Sequence, residues 1–101
     1  MANTYVNAKV DLTATSVTTL YTCAGLTTGI VKSMLVSEDT GNADTITVTI
    51  TNGSTVYSLF KTKAVGANTT VELLTAPLVV QAGEILKVTA ATANRLHVVA
   101  S

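Results

Sequence analysis

Cys23 and His97 are the one thiol and the one imidazole in this 101-residue chain. A thiolate activated by a histidine base is the covalent chemistry such a pair can perform, provided the two side chains lie within hydrogen-bond reach. The run Glu38-Asp39-Thr40-Gly41-Asn42-Ala43-Asp44 gathers oxygen ligands of the kind hard cations take, although its spacing is not that of an EF-hand. Asp39, Asn42 and Asp44 are the ligands it would offer to a weakly held ion. The same run also reads as a solvated turn in which Asp and Asn bond their own backbone. Glu72 and Glu84 sit on different segments and do not suggest an acid/base pair. A single cysteine excludes an internal disulfide and a multi-thiolate metal site. No glycine-rich phosphate loop or helix N-terminus is present to hold a nucleotide, so no cofactor is expected.

The elements that must carry these residues are strands. Val6, Ala8, Val10 and Leu12 alternate with Asn7, Lys9 and Asp11, and Leu96, Val98 and Ala100 alternate with Arg95 and His97, the period-2 pattern of half-buried strands. On that pattern the strands run over residues 5–12, 17–23, 30–37, 45–51, 55–61, 70–74, 78–80 continuing through a turn into 84–90, and 95–100. Turn residues such as Gly25, Gly41, Asn52-Gly53, Gly66 and Gly83 separate them. Helical periodicity is nowhere sustained. About eight short strands predict a single all-β domain over residues 1–101, an antiparallel β-sandwich, because a sheet with one apolar face must bury it on another. A jelly roll is the first expectation and an immunoglobulin-like sandwich the alternative, the latter lacking the cysteine pair and core Trp of antibody domains. In this frame Cys23 falls in or near the core and His97 on the outer face of the last strand, so the expected protein is not an enzyme.

The segment Asp44 to Phe60 allows a register to be derived. With Asn52-Gly53 as the two central residues of a type I′ turn, Ile50, Val48 and Ile46 face Thr55, Tyr57 and Leu59. On the other face Thr49, Thr47 and Thr45 meet Val56, Ser58 and Phe60. That reading directs Ile46, Val48 and Ile50 to the core and leaves Phe60, the one Phe of the chain, pointing outward among threonines. There it would either anchor a contact as a buried aromatic or tuck under the loop from Thr62 to Asn68.

Composition narrows the function classes. Charged residues make up 12% of the chain and the formal net charge is zero, against about a quarter charged in ordinary globular proteins. The basic footprint and aromatic platforms of nucleic-acid binding are absent. Although 48% of residues are hydrophobic, threonines and other polar residues interrupt every apolar run well short of the ~20 residues of a spanning helix, so no membrane partner is expected. No secretory leader is visible at Met1 to Val10, which makes synthesis in a cytoplasm the default expectation. A surface furnished with Thr and Ala in place of charge suits burial against another protein, since burying Lys or Glu costs far more. The candidate contact residues are Tyr5, Thr45, Thr47, Thr49 and Phe60.

Two segments, Thr18 to Asp39 with Leu20-Tyr21-Thr22 and an apolar strand Ile30 to Val36, and Ala76 to Ser101 with Leu78 to Val80, Ala82-Gly83-Glu84 and Ile85 to Val88, carry a resemblance. They resemble a group of small structural proteins encoded by tailed bacteriophages, over most of the chain. The sequence departs at Cys23-Ala24-Gly25, where the resemblance leads one to expect Pro. What the resemblance implies is a virion component made in the bacterial host. The preferred form is a capsid decoration or cement protein on the head surface, a homo-oligomer, preferably a trimer, whose partner is the major capsid protein. A neck, tail or fibre-base component is the alternative. A carbohydrate-binding adhesion domain is a further alternative, against which the missing Trp counts, because sugar faces stack on aromatic rings.

Overall fold

A computed structural model describes residues 6–101 of the chain; Tyr5 lies outside the described residues. Ten strands follow one another: β1 (Ala8–Asp11), β2 (Thr18–Thr22), β3 (Gly29–Val31), β4 (Met34–Glu38), β5 (Asp44–Asn52), β6 (Thr55–Val65), β7 (Thr70–Glu72), β8 (Leu78–Val80), β9 (Ile85–Ala90) and β10 (Leu96–Ala100). They form two four-stranded sheets, ordered β1-β10-β4-β7 and β2-β9-β5-β6, and a two-stranded ribbon β3-β8. Every pairing is antiparallel. The chain is thus an all-β antiparallel sandwich.

The pairings are nested. β1 pairs β10, β2 pairs β9, β3 pairs β8, β4 pairs β7 and β5 pairs β6, so the chain folds back on itself as one long hairpin ribbon with its tip at Gly53-Ser54. Two further pairings, β10 with β4 and β5 with β9, wind the ribbon into its two sheets. The inward residues of both sheets meet in one core: Val36 and Val98 from one side, Ile46, Val48, Leu86 and Val88 from the other, all fully buried. Val48 of the derived core is there as expected, and Ile50 packs against its edge.

The strand expected over residues 30–37 is two strands. Between them the N–H groups of Lys32 and Ser33 both donate to the Ser101 carbonyl, at 2.7 and 3.1 Å. That turns the backbone out of the β3 ladder and into the β4 ladder. The segment 78–90 divides at the expected turn, where Gly83, at a φ of 83°, makes a bend a side chain would resist.

The hairpin register differs from the derived one. Asn52 pairs with Thr55, Ile50 with Tyr57 and Thr49 with Ser58, so the turn is centred on Gly53-Ser54. Gly53, at φ 62°, holds the first central position, the placement a type II′ turn requires. Further along, Val48 pairs with Phe60 and Ile46 with Lys63. Leu59 is therefore one extra residue on β6, and Lys61 with Thr62 together oppose Thr47. Each bulge shifts the alternation by one residue. The first carries Phe60 to the core side beside Val48, where it is half-buried against the core. The second restores the alternation, and Thr45 meets Ala64.

Candidate contact surfaces

The residues singled out for catalysis are not brought together. Cys23 is buried, and its thiol is 3.3 Å from the Val80 carbonyl and 3.5 Å from that of Thr27. His97 stands half-exposed on the outer face of β10, with Nε2 3.2 Å from Asp11 Oδ1 and Nδ1 3.8 Å from Asp39 Oδ2. No hydrogen bond joins the two, and among the described residues the thiol meets the Thr27 and Val80 oxygens.

The acidic loop is organised from within by Glu38, which the sequence reading counted with the loop's oxygen ligands but did not name as an ion ligand. Its carboxylate is buried and accepts the N–H groups of Thr40 at 2.8 Å, Gly41 at 3.0 Å, Asn42 at 3.1 Å and, from across the loop, Asn68 at 3.1 Å, with the Thr40 hydroxyl as a further donor. Burial by itself pushes this carboxyl up, but the donors from Thr40, Asn68 and Asn42 outweigh it and hold the group down at about 2. The three residues offered as ion ligands diverge. Asp39 approaches His97, the Asn42 amide donates to the Thr40 carbonyl, and the buried Asp44 accepts the Thr92 N–H at 3.1 Å. Among the described residues no group of three His, Cys, Asp or Glu side chains is placed to hold a metal ion. Glu72 has a similar bracing role: it accepts the Ser33 hydroxyl and the N–H of Met34 at 2.7 Å, and these donors lower its pKa.

The fold presents more than one surface to a partner. The first is the outer face of the β2-β9-β5-β6 sheet. Its rows, read across the strands, are Thr22-Ile85-Thr51-Val56 and Thr19-Lys87-Thr49-Ser58, followed by Thr89 beside Thr47 and then Thr45 beside Ala64. Thr45, Thr47 and Thr49 are each half-buried on it, and Thr47 is committed, because its hydroxyl accepts the Thr62 N–H of the bulge at 3.1 Å. Thr51 is buried, and its hydroxyl has no hydrogen-bond partner among the described residues. No carboxylate stands on these rows; Lys87 is their charged group, and Lys61 lies opposite Thr47 at the edge. Phe60 does not belong to this face, since the Leu59 bulge turns it toward Val48.

The second surface is aliphatic. Ile30 and Val79 are direct partners across the β3-β8 ribbon and are 59% and 52% exposed. Leu26, in the turn before the ribbon, is fully exposed at φ 64°, a left-handed conformation that costs a side-chain-bearing residue about 1 kcal/mol. Composition foretold a surface low in charge, but nothing local in the sequence separates these exposed aliphatics from the buried ones in the same strands. Comparison with protein-family models, with curated proteins and with solved structures finds no match for this chain.

Proposed function

We propose that the protein is a virion structural protein of the kind the sequence resembles, a capsid decoration or cement protein that lies on the outside of the head and ties neighbouring capsid subunits together. The observation that carries this reading is the carboxylate-free threonine face of the β2-β9-β5-β6 sheet. Threonine is β-branched and suits a strand, and its hydroxyl is far less costly to cover than a carboxylate or ammonium. Lys87 and Lys61 give that face a positive sign, so the surface it would cover on the major capsid protein is acidic.

Two further features support the reading. The nested pairing and the strand order β1-β10-β4-β7 with β2-β9-β5-β6 support a jelly roll, in which a ribbon is wound into two sheets, over the immunoglobulin-like alternative. The polar side chains with depressed pKa values, Glu38 and Glu72, are saturated by backbone donors that brace loops, and offer no acid/base machinery. The protein acts on this reading by binding alone. Many copies of modest affinity, bound to the assembled lattice and not to the free subunit, stabilise it by mass action.

Copies per particle are the deciding measurement. A number matching the capsid lattice, together with loss of DNA at lower temperature from particles lacking the protein and its restoration on adding the protein back, supports decoration. A dozen or so copies retained on isolated tails would transfer the protein to the neck or tail.

A further inference from the structure

The outer face of the other sheet has a different character. Across β1-β10-β4-β7 one row reads Lys9-Val99-Leu35-Glu72, with each neighbour a direct register partner of the next. Val99 and Leu35 are 38% and 40% exposed, an apolar pair at the centre of the sheet, with a cation at one end of the row and a carboxylate at the other. The next outward row is Asp11-His97-Ser37-Thr70.

We infer that this face is the contact between two copies of the chain, packed sheet to sheet about a twofold axis that runs along the strands between β10 and β4. Such an axis exchanges β10 with β4 and β1 with β7 while keeping each row opposite itself. Val99 of one copy then covers Leu35 of the second, and Lys9 meets Glu72, each contact occurring twice, as an isologous interface demands. Asp11 meets Thr70 and His97 meets Ser37, so no like charges are opposed. Continuing the β10-β4 register one outward position beyond the strands sets Asp39 of one copy against Arg95 of the second. The strands of the two copies are aligned, which is a packing that twisted sheets adopt readily. A twofold axis across the strands would instead set each strand against itself, so that when it passes through this row Lys9 meets Lys9 and Glu72 meets Glu72, and when it passes between the rows Val99 meets His97 and Leu35 meets Ser37. The threonine face of the opposite sheet lacks this self-complementarity, because Lys87 has no carboxylate on its own face to meet.

The footprint is small. Four strands about 4.8 Å apart and about five residues long at 3.3 Å each give roughly 300 Å² of sheet per copy, which places the pair in the weak, transient class. Dimer therefore forms at high local concentration, the condition that many copies side by side provide. A threefold contact cannot pair one face with itself, so a trimer would have to use another surface.

Sedimentation equilibrium of the purified chain from about 10 µM to about 1 mM, the range of a weak interface, tests this. The expected result is a monomer-dimer equilibrium that Lys9→Glu weakens about tenfold and that added salt also weakens, through loss of paired charge. Glu72→Lys added to Lys9→Glu in the same chain should restore association to within about threefold of the parent, because the charges are exchanged and not lost. Since Glu72 also braces Ser33 and Met34, Leu35→Ser provides a variant that touches only the exposed row, and it too should weaken the dimer at unchanged thermal midpoint. A monomer throughout the range, a trimer, or a dimer indifferent to both Lys9→Glu and Leu35→Ser would overturn the inference.

Discussion

The Thr47 hydroxyl accepts the backbone N–H of Thr62 at 3.1 Å, across the bulge in which Lys61 and Thr62 oppose Thr47. Thr62 holds a φ of 49° there, a conformation β-branched residues avoid. Thr47 is thus a fastening for the edge strand, whereas its neighbour Thr49 makes no such bond. Thr47→Val should cost about 1 kcal/mol, the net worth of one hydrogen bond, while Thr49→Val should change stability by less than about 0.5 kcal/mol. Chemical denaturation of the two variants decides it, and equal midpoints would show the bulge to be held by the ladder alone.

Val48 is fully buried between the sheets, with Phe60 beside it on β6 and Val88 beside it on β9. Val48→Asp should cost on the order of 3–5 kcal/mol, because an unpaired charge would enter the core. Thr49→Asp, one residue on and beside Lys87 on the outer face, should cost less than about 0.5 kcal/mol. Comparable losses in urea unfolding would contradict the assignment of faces.

Glu38 links pH to stability. Its folded-state pKa, about 2, lies below the ordinary 4.5. A depressed carboxyl contributes stability that is fully present above the unfolded value and is lost as pH falls through the folded one. Glu72 is shifted in the same direction by Ser33 and Met34. The thermal midpoint should therefore fall as pH is lowered from 4.5 toward 2, and Glu38→Gln should lower the midpoint at neutral pH and flatten that fall. If Glu38→Gln kept the parent's slope over the same window, the loop would not depend on the ionised carboxylate.

Thr51 is buried with a hydroxyl unpartnered among the described residues, flanked on its row by Ile85 and Val56. Thr51→Val keeps the branched shape and removes the unsatisfied group, so it should stabilise the protein by about 1 kcal/mol. A loss of stability in differential scanning calorimetry would mean that the hydroxyl has a partner in solution.

The sequence by itself determined the class of structure and most of the core. Alternation with period 2 is a local property, written into any five consecutive residues, and it placed Ile46, Val48, Leu96 and Val98 inside and Thr45, Thr47 and Thr49 outside without reference to distant parts of the chain. Most of the turns followed for the same reason, since turns need Gly, Asn and Asp wherever they occur, although β6 runs on to Val65 where the local pattern ended at residue 61. What tertiary structure decided are the features that depend on a partner far away in the chain. Phe60 changes side because one residue, Leu59, is accommodated as a bulge against β5, and a one-residue shift inverts the faces beyond it until the second bulge restores them. The break at Lys32 and Ser33, between β3 and β4, exists because both amides find the Ser101 carbonyl. Glu38 becomes the buried centre of its loop only when Asn68 is carried to it, and the Lys9-Val99-Leu35-Glu72 row exists only once β1, β10, β4 and β7 lie side by side. A hydrogen bond or a register between residues so far apart is fixed by how the ribbon winds, and winding is set by the summed packing of both sheets, which no local pattern contains.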